Sequence, residues 1–182
     1  MGLFCSRPFQ TNFKISMYGL VSAGKTSILN YLKNKISDKL DLPYLGSTPY
    51  FKFPYLNYKC LTITEFDLGD PFDRRNLHIL RNSFKAKGII FVIDSSDRVG
   101  LEDYVLEDYY FILSHEDFKN LPILILANKQ DITHALSVEE IIKKISIEKF
   151  KEKIWIAIGT SVITGEGIEE GLDWMIKRME KE

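Results

Sequence analysis

Eight residues, Gly19-Leu20-Val21-Ser22-Ala23-Gly24-Lys25-Thr26, constrain this chain more than any other feature. They fit G-x-x-x-x-G-K-[ST], and the flanks supply the context that pattern needs. Phe13–Tyr18 alternates like a strand, and Ser27-Ile28-Leu29-Asn30-Tyr31-Leu32 reads as a helix, within Lys25–Lys35. In a strand–loop–helix unit the loop amides and the positive end of the helix together form an anion site. Gly19, Ser22, Ala23, Gly24, Lys25, Thr26 and Ser27 are therefore the expected phosphate cradle. Lys25 would reach the β- and γ-phosphates, and the Thr26 hydroxyl would ligate Mg²⁺. The plain alternative is a glycine-containing turn before an ordinary helix, and the flanking pattern argues against it.

The rest of the chain alternates strands and helices. Lys52–Tyr55 and Lys59–Phe66 read as strands around a turn at Leu56-Asn57-Tyr58, and a charged stretch near Asp73–Lys85 as a helix. Gly88–Asp94 and Ile123–Ala127 are nearly all apolar, as strands covered on both faces are. Leu106, Tyr109, Tyr110 and Leu113 fall at helical spacing within Leu101–Ser114. Ser137-Val138-Glu139-Glu140 is a capping box that would open a helix through Phe150. Ile154–Ile158 is the last strand and Ile168–Met179 the last helix. Such alternation predicts an α/β fold, a doubly wound sheet whose ligand loops lie at the carboxyl ends of its strands.

Two further motifs fall at such ends. Asn128-Lys129-Gln130-Asp131 follows the Ile123–Ala127 strand. The Asp131 carboxylate can accept from guanine N1–H and the 2-amino group, donors that adenine lacks, and a site built this way rejects the wrong ligand by roughly 10⁴-fold. Asn128 would support the surrounding loops, and the Lys129 stem would cover the base. Asp67-Leu68-Gly69 ends the strand Cys60–Phe66, the place for an acid that holds Mg²⁺ through water. Gly69 would let the backbone approach phosphate. Read alone, Asp-x-Gly is also a common turn.

Composition excludes several other classes. The 182 residues suit one compact domain, and 45% hydrophobic with 27% charged residues is globular. A formal net charge of -1 supplies no global field for nucleic acid, which is not an expected partner. Cys5 and Cys60 lie far apart without metal-like spacing, as in a reducing cytosol. His78, His115 and His134 are isolated. No apolar run approaches the ~20 residues of a spanning helix, and the amino terminus lacks a signal-peptide pattern. The mixed-sign run Lys149-Phe150-Lys151-Glu152-Lys153 reads as a solvated face.

In their order, the phosphate loop, D-x-G and N-K-x-D resemble the small GTPases of the Ras superfamily, and over nearly the whole length the chain is similar to the Arf and Arf-like family. Ala127-Asn128-Lys129-Gln130-Asp131, Glu170-Gly171-Leu172-Asp173-Trp174, Asp94-Ser95-Ser96-Asp97-Arg98 and the opening Met1-Gly2 carry the likeness. Thr160–Gly167 and Arg75-Asn76-Leu77 are most similar to the BBSome-recruiting subgroup. The resemblance implies a six-stranded, mostly parallel sheet flanked by helices in residues 13–182, preceded by a membrane-anchoring segment in residues 1–12. It implies a monomeric GTP/GDP switch with Mg²⁺, an exchange factor, a GTPase-activating protein and effector or coat proteins, at the surface of Golgi, endomembrane or cilium base. Thr48, 19 positions before Asp67, corresponds to the switch-one threonine that meets Mg²⁺ and the γ-phosphate. In Thr160-Ser161-Val162, Ser161 and Val162 correspond to the backbone that reads guanine O6, with valine in place of the usual alanine.

The chain departs from the family at its second switch. Where the family has Asp-x-Gly-Gly-Gln, this sequence has Asp67-Leu68-Gly69-Asp70-Pro71. Pro71 has neither a polar side chain nor an N–H with which to orient water, so no catalytic residue is assigned. The Gly69 and Asp70 amides remain expected γ-phosphate donors. The Asp70 carboxylate would repel that phosphate by roughly 4 kcal/mol at about 4 Å and an effective dielectric of about 20, or else point to solvent. Slow hydrolysis follows. A non-hydrolysing module that binds guanine nucleotide and recruits partners is the alternative. A phosphate-loop kinase is weaker, because it would have no use for N-K-x-D.

Met1-Gly2-Leu3-Phe4-Cys5-Ser6 fits M-G-x-x-x-[ST], which makes Gly2 a myristoylation candidate. One such chain binds membranes marginally. Palmitoylation of Cys5 would supply the second signal, and a free thiol is the alternative. Phe51, Phe66, Leu77 and Leu80 are candidates for an effector patch, although core packing is the simpler reading for Phe66, which lies within a strand.

Overall fold

The structure is a computed structural model that describes residues 12–37, 55–68, 85–101, 106–114 and 116–181. Strand β1 (Phe13–Leu20) runs into helix α1 (Lys25–Ser37). Strands β2 (Tyr55–Tyr58), β3 (Leu61–Leu68) and β4 (Gly88–Asp94) follow, then a helical turn at Arg98–Gly100 and helix α2 (Leu106–Ser114). Strand β5 (Ile123–Asn128), helix α3 (Val138–Ile145), strand β6 (Trp155–Gly159) and helix α4 (Ile168–Met179) complete the described elements. The six strands form one sheet in the order β2-β3-β1-β4-β5-β6. The β2–β3 pairing is antiparallel, and the other four are parallel. The carboxyl ends of β1, β3, β4, β5 and β6 therefore share one edge.

Strand periodicity builds a core on each face of the sheet. Successive side chains of β5 alternate: Leu124 and Leu126 pack with α1 and α4, while Ile123, Ile125 and Ala127 pack with α2 and α3. All six β5 residues are buried, which explains the unbroken apolar run Ile123–Ala127 before Asn128. On the first face lie Ile28, Leu29 and Leu32 of α1 and Leu172, Met175 and Ile176 of α4. On the second lie Tyr109, Ile112 and Leu113 of α2 and Ile141 and Ile145 of α3.

Several sequence expectations need correction or a change of boundary. The β2–β3 turn falls at Lys59–Cys60 rather than at Leu56-Asn57-Tyr58, with Tyr58 paired to Leu61 and Lys59 at φ 52°. Leu56 and Tyr58 are both buried, so period-two burial keeps the segment extended. The turn-favouring Asn57 instead accepts a hydrogen bond from Thr62 Oγ1 across the pair, at 2.7 Å. The capping box at Ser137 and Glu140 is present in both directions. The helix it opens nevertheless stops at Ile145, because Ser146 turns left-handed at φ 49° and drops Ile147 into the core through a short 3₁₀ turn. Lys153 is not on a solvated face. It is buried, and its Nζ donates to the Phe118 carbonyl at 2.8 Å. The core-packing reading of Phe66 holds: it is 1% exposed and stacks on Tyr18 at 5.3 Å, and it does not join a surface patch. Phe51, Leu77, Leu80, Arg75-Asn76-Leu77 and the helix expected from Asp73 lie outside the described residues, as do Gly2 and Cys5.

Candidate nucleotide site

Among the described residues, four loops leave the carboxyl edge of the sheet, after β1, β4, β5 and β6, and hydrogen bonds tie them together. The first is the loop Val21–Gly24. It curls tightly, with Ser22 at φ 67° and Gly24 at φ 102°. Glycine is required at position 24 for a second reason: a Cβ there would stand 2.3 Å from Asn128 Nδ2. Ala23 is buried beneath the loop. Lys25 opens α1 and is 3% exposed, with its Nζ donating to the carbonyls of Gly19 at 3.0 Å and Leu20 at 2.8 Å. The ammonium thus lies folded against the concave side of its own loop. Thr26 is exposed, and its Oγ1 donates to Glu65 Oε1 at 2.6 Å. Ser27 follows on the exposed side of the helix start.

Asn128 joins the first loop to the others. It ends β5, is 1% exposed, and donates from Nδ2 to the Ala23 carbonyl at 2.9 Å. Its Oδ1 accepts from Thr160 Oγ1 at 3.3 Å, and its backbone carbonyl accepts from Ser95 N at 3.0 Å. Thr160 N in turn donates to the Ala127 carbonyl at 2.9 Å. One buried amide side chain therefore touches the loops after β1 and β6, and its backbone fixes the loop after β4.

The residues beyond Asn128 are held with equal economy. Lys129 adopts φ 68° and donates from Nζ to Asp94 Oδ2 at 2.6 Å. Burial alone would raise the Asp94 pKa, but the bonds from Lys129 Nζ, Ser96 Oγ and Ser96 N outweigh it and hold the carboxyl below its usual range. Gln130 Nε2 donates to Ser95 Oγ at 2.9 Å and to the Leu136 carbonyl at 3.0 Å. Asp131 stays exposed while its Oδ1 accepts from Ser161 Oγ at 2.6 Å. Ser161 is buried, and its Oγ also accepts from the amides of Ile163 at 3.2 Å and Thr164 at 3.3 Å. This places Asp131 and the Ser161-Val162 turn side by side, with Val162 half-buried against the core.

Over residues 4–179 the sequence matches the ADP-ribosylation factor family. The chain belongs to the Arf family. That span covers all four loops. Arf-family proteins are GTP-binding switches of membrane traffic that use Mg²⁺, exchange factors, activating proteins and effectors, and they associate peripherally with membranes. No helix among the described residues is long and apolar enough to cross a membrane.

The donor chemistry of this Arf-family chain suits those ligands. Thr26 presents a hydroxyl, a hard oxygen group of the kind Mg²⁺ takes, and Glu65 accepts its proton. Asp67 occupies the penultimate position of β3, paired beside Gly19 of β1. Thr48, Gly69, Asp70 and Pro71 lie outside the described residues. Sequence reasoning missed Glu65, Asp94, Ser95 and Gln130. Glu65 had a visible signal, since it interrupts the alternation of Leu61 and Ile63. Asp94 and Ser95 could be found only by knowing that β4 lies next to β5.

The Asp94–Lys129 contact carries a pH signature. A depressed folded-state pKa contributes stability above the unfolded value, and that contribution is lost as pH falls through the folded one. Wild type should therefore exceed Asp94→Asn in urea midpoint at pH 7, with the gap shrinking below about pH 4. A gap independent of pH would contradict the ion pairing.

Proposed function

We propose that the four-loop site binds GTP and GDP and that this chain switches slowly between them. The observation that carries the reading is the Asn128 tie, which sets the phosphate loop and the Asp131 carboxylate on one rigid frame. In this reading the amides of Gly19 and Ser22 through Ser27 and the ammonium of Lys25 receive the phosphates. The Lys25 contacts to Gly19 and Leu20 are weaker partners than phosphate oxygens and would give way to them. Thr26, Thr48 and Asp67 serve Mg²⁺. Asp131 accepts from the guanine N1–H and 2-amino groups, and the Lys129 stem covers the ring. Ser161 N donates to the Glu166 carbonyl at 3.3 Å, so we assign guanine O6 to the Val162 amide. Bound Mg²⁺ would neutralise phosphate charge, while the protein's contribution is positioning and preorganised donors.

Base selection rests on one acceptor. Asp131→Asn exchanges it for a donor and should reverse the preference from guanosine to xanthosine diphosphate, lowering GDP affinity by roughly 10³-fold or more. Competition against a fluorescent GDP analogue measures this. Unchanged GDP affinity would remove Asp131 from the base site.

The sequence at the second switch supports slow turnover. Pro71 stands where relatives carry the water-orienting glutamine, and Asp70 brings a carboxylate toward the γ-phosphate position. Gly69 and Asp70 keep amides able to donate to that phosphate. We expect single-turnover GTP hydrolysis below the ~10⁻⁴ s⁻¹ scale of an unassisted small GTPase. A rate at or above that scale would show that another group orients the water. In the hydrolysing reading any water-orienting group comes from elsewhere, such as an activating partner; the same feature favours the second reading, a recruitment module that holds GTP without turning it over.

Residues 13–182 form the nucleotide-binding domain in this proposal, and residues 1–12 anchor it to membrane through Gly2, with Cys5 as the second lipid site. Gly2→Ala should lose membrane partitioning in cells, and retention on membranes would contradict the anchor.

A further inference from the structure

We propose that Glu65 is a positioning residue for Thr26, fixing the hydroxyl that meets Mg²⁺; the inference rests on the nucleotide-binding reading given above. The starting observation is a carboxylate in the wrong surroundings. In β3, residues 61, 63 and 65 share one face, and Leu61 and Ile63 are both 0% exposed and pack against α1. Strand periodicity continues that apolar row to position 65, where the chain has glutamate, 7% exposed. A carboxylate out of water is unfavourable unless it is hydrogen-bonded, and an apolar residue would serve the core better. The strand therefore sustains a penalty that packing does not explain.

The partner of Glu65 explains it. Its Oε1 lies 2.6 Å from Thr26 Oγ1, the short separation of a hydroxyl donating to a carboxylate. A hydroxyl ligates a cation through an oxygen lone pair, so its proton must point away from the metal. Rotation about the Thr26 Cβ–Oγ1 bond would otherwise let that proton point toward the cation, where it is repelled. Glu65 removes this freedom by taking the proton from the sheet side. The lone pairs of Oγ1 are left to face outward, and the accepted bond makes the oxygen more electron-rich. Partners of this kind, which orient a metal's own ligands, tune affinity without touching the ion. The Glu65 charge also adds to the attraction felt by a cation at the mouth of α1. Two positions further along β3 stands Asp67, whose backbone pairs beside Gly19 near the end of β1.

The test is the Mg²⁺ dependence of nucleotide retention in the full chain. Release of a fluorescent GDP analogue is followed as free Mg²⁺ is titrated, for wild type, Glu65→Gln, Glu65→Val and Thr26→Ala. Glu65→Val should raise the Mg²⁺ concentration that half-slows release by about 10- to 100-fold, the usual effect of losing a partner that orients a ligand. Glu65→Gln keeps an oxygen acceptor and should recover part of the loss. In the Thr26→Ala background, Glu65→Val should add nothing, because its effect runs through that hydroxyl. GDP binding in EDTA should be the same for wild type and both Glu65 variants, and Glu65→Val should melt at or above wild type when free of nucleotide. A wild-type Mg²⁺ dependence in Glu65→Val, or an equal shift in the Thr26→Ala background, overturns the role of Glu65 alone. Failure of wild type to bind the GDP analogue at all overturns the functional reading and this inference with it.

Discussion

The hydrogen bond from Asn128 Nδ2 to the Ala23 carbonyl, between residues 105 apart in sequence, is the contact on which the site depends. It is buried, so water cannot replace either partner, and losing one would strand the other at a cost of about 1–3 kcal/mol. It also dictates composition nearby. Asn128 sits so close to Gly24 that no side chain fits there, and the tight phosphate-loop curl is then held by both φ preference and contact. Through Thr160 the same side chain reaches the loop after β6. The phosphate-loop motif and the N-K-x-D motif thus share a frame set by the end of a single buried strand.

Three carboxylates around that frame each accept a hydrogen bond from a side chain. Lys129 meets Asp94, Thr26 meets Glu65, and Ser161 meets Asp131. The exposed carboxylate of Asp131 shows the principle best: one oxygen is held by the buried Ser161, while the residue remains open to solvent and to a ligand. Preorganisation of this kind lowers the ordering cost of binding. It suits a chain whose family acts by holding nucleotide tightly and changing partners with its state.

Much of this was legible in the sequence because strong periodicity and short motifs leave few alternatives. The apolar runs of β4 and β5, the capping box at Ser137 and the last helix Ile168–Met179 fall where the pattern puts them. The phosphate and base motifs land at the carboxyl ends of β1 and β5 for the same reason, since an apolar strand must end before polar loop residues begin. What was not legible depends on neighbours distant in sequence. Asn57 carries turn chemistry, yet burial of Leu56 and Tyr58 overrules it. Lys153 sits in a charged run, yet a carbonyl 35 residues away captures it. Glu65 reads as one more charge until β3 is laid beside α1.

The nucleotide released from the purified, denatured chain tests the shared frame most directly, because base identity and phosphate number are read together. Chromatography of that extract should yield guanosine di- or triphosphate at about one per chain, as tight retention of ligand by the folded state requires. Adenosine phosphates in the extract, or an empty extract from a protein that prefers ATP in solution, would contradict a pocket in which Asn128 joins phosphate loop and guanine acceptor.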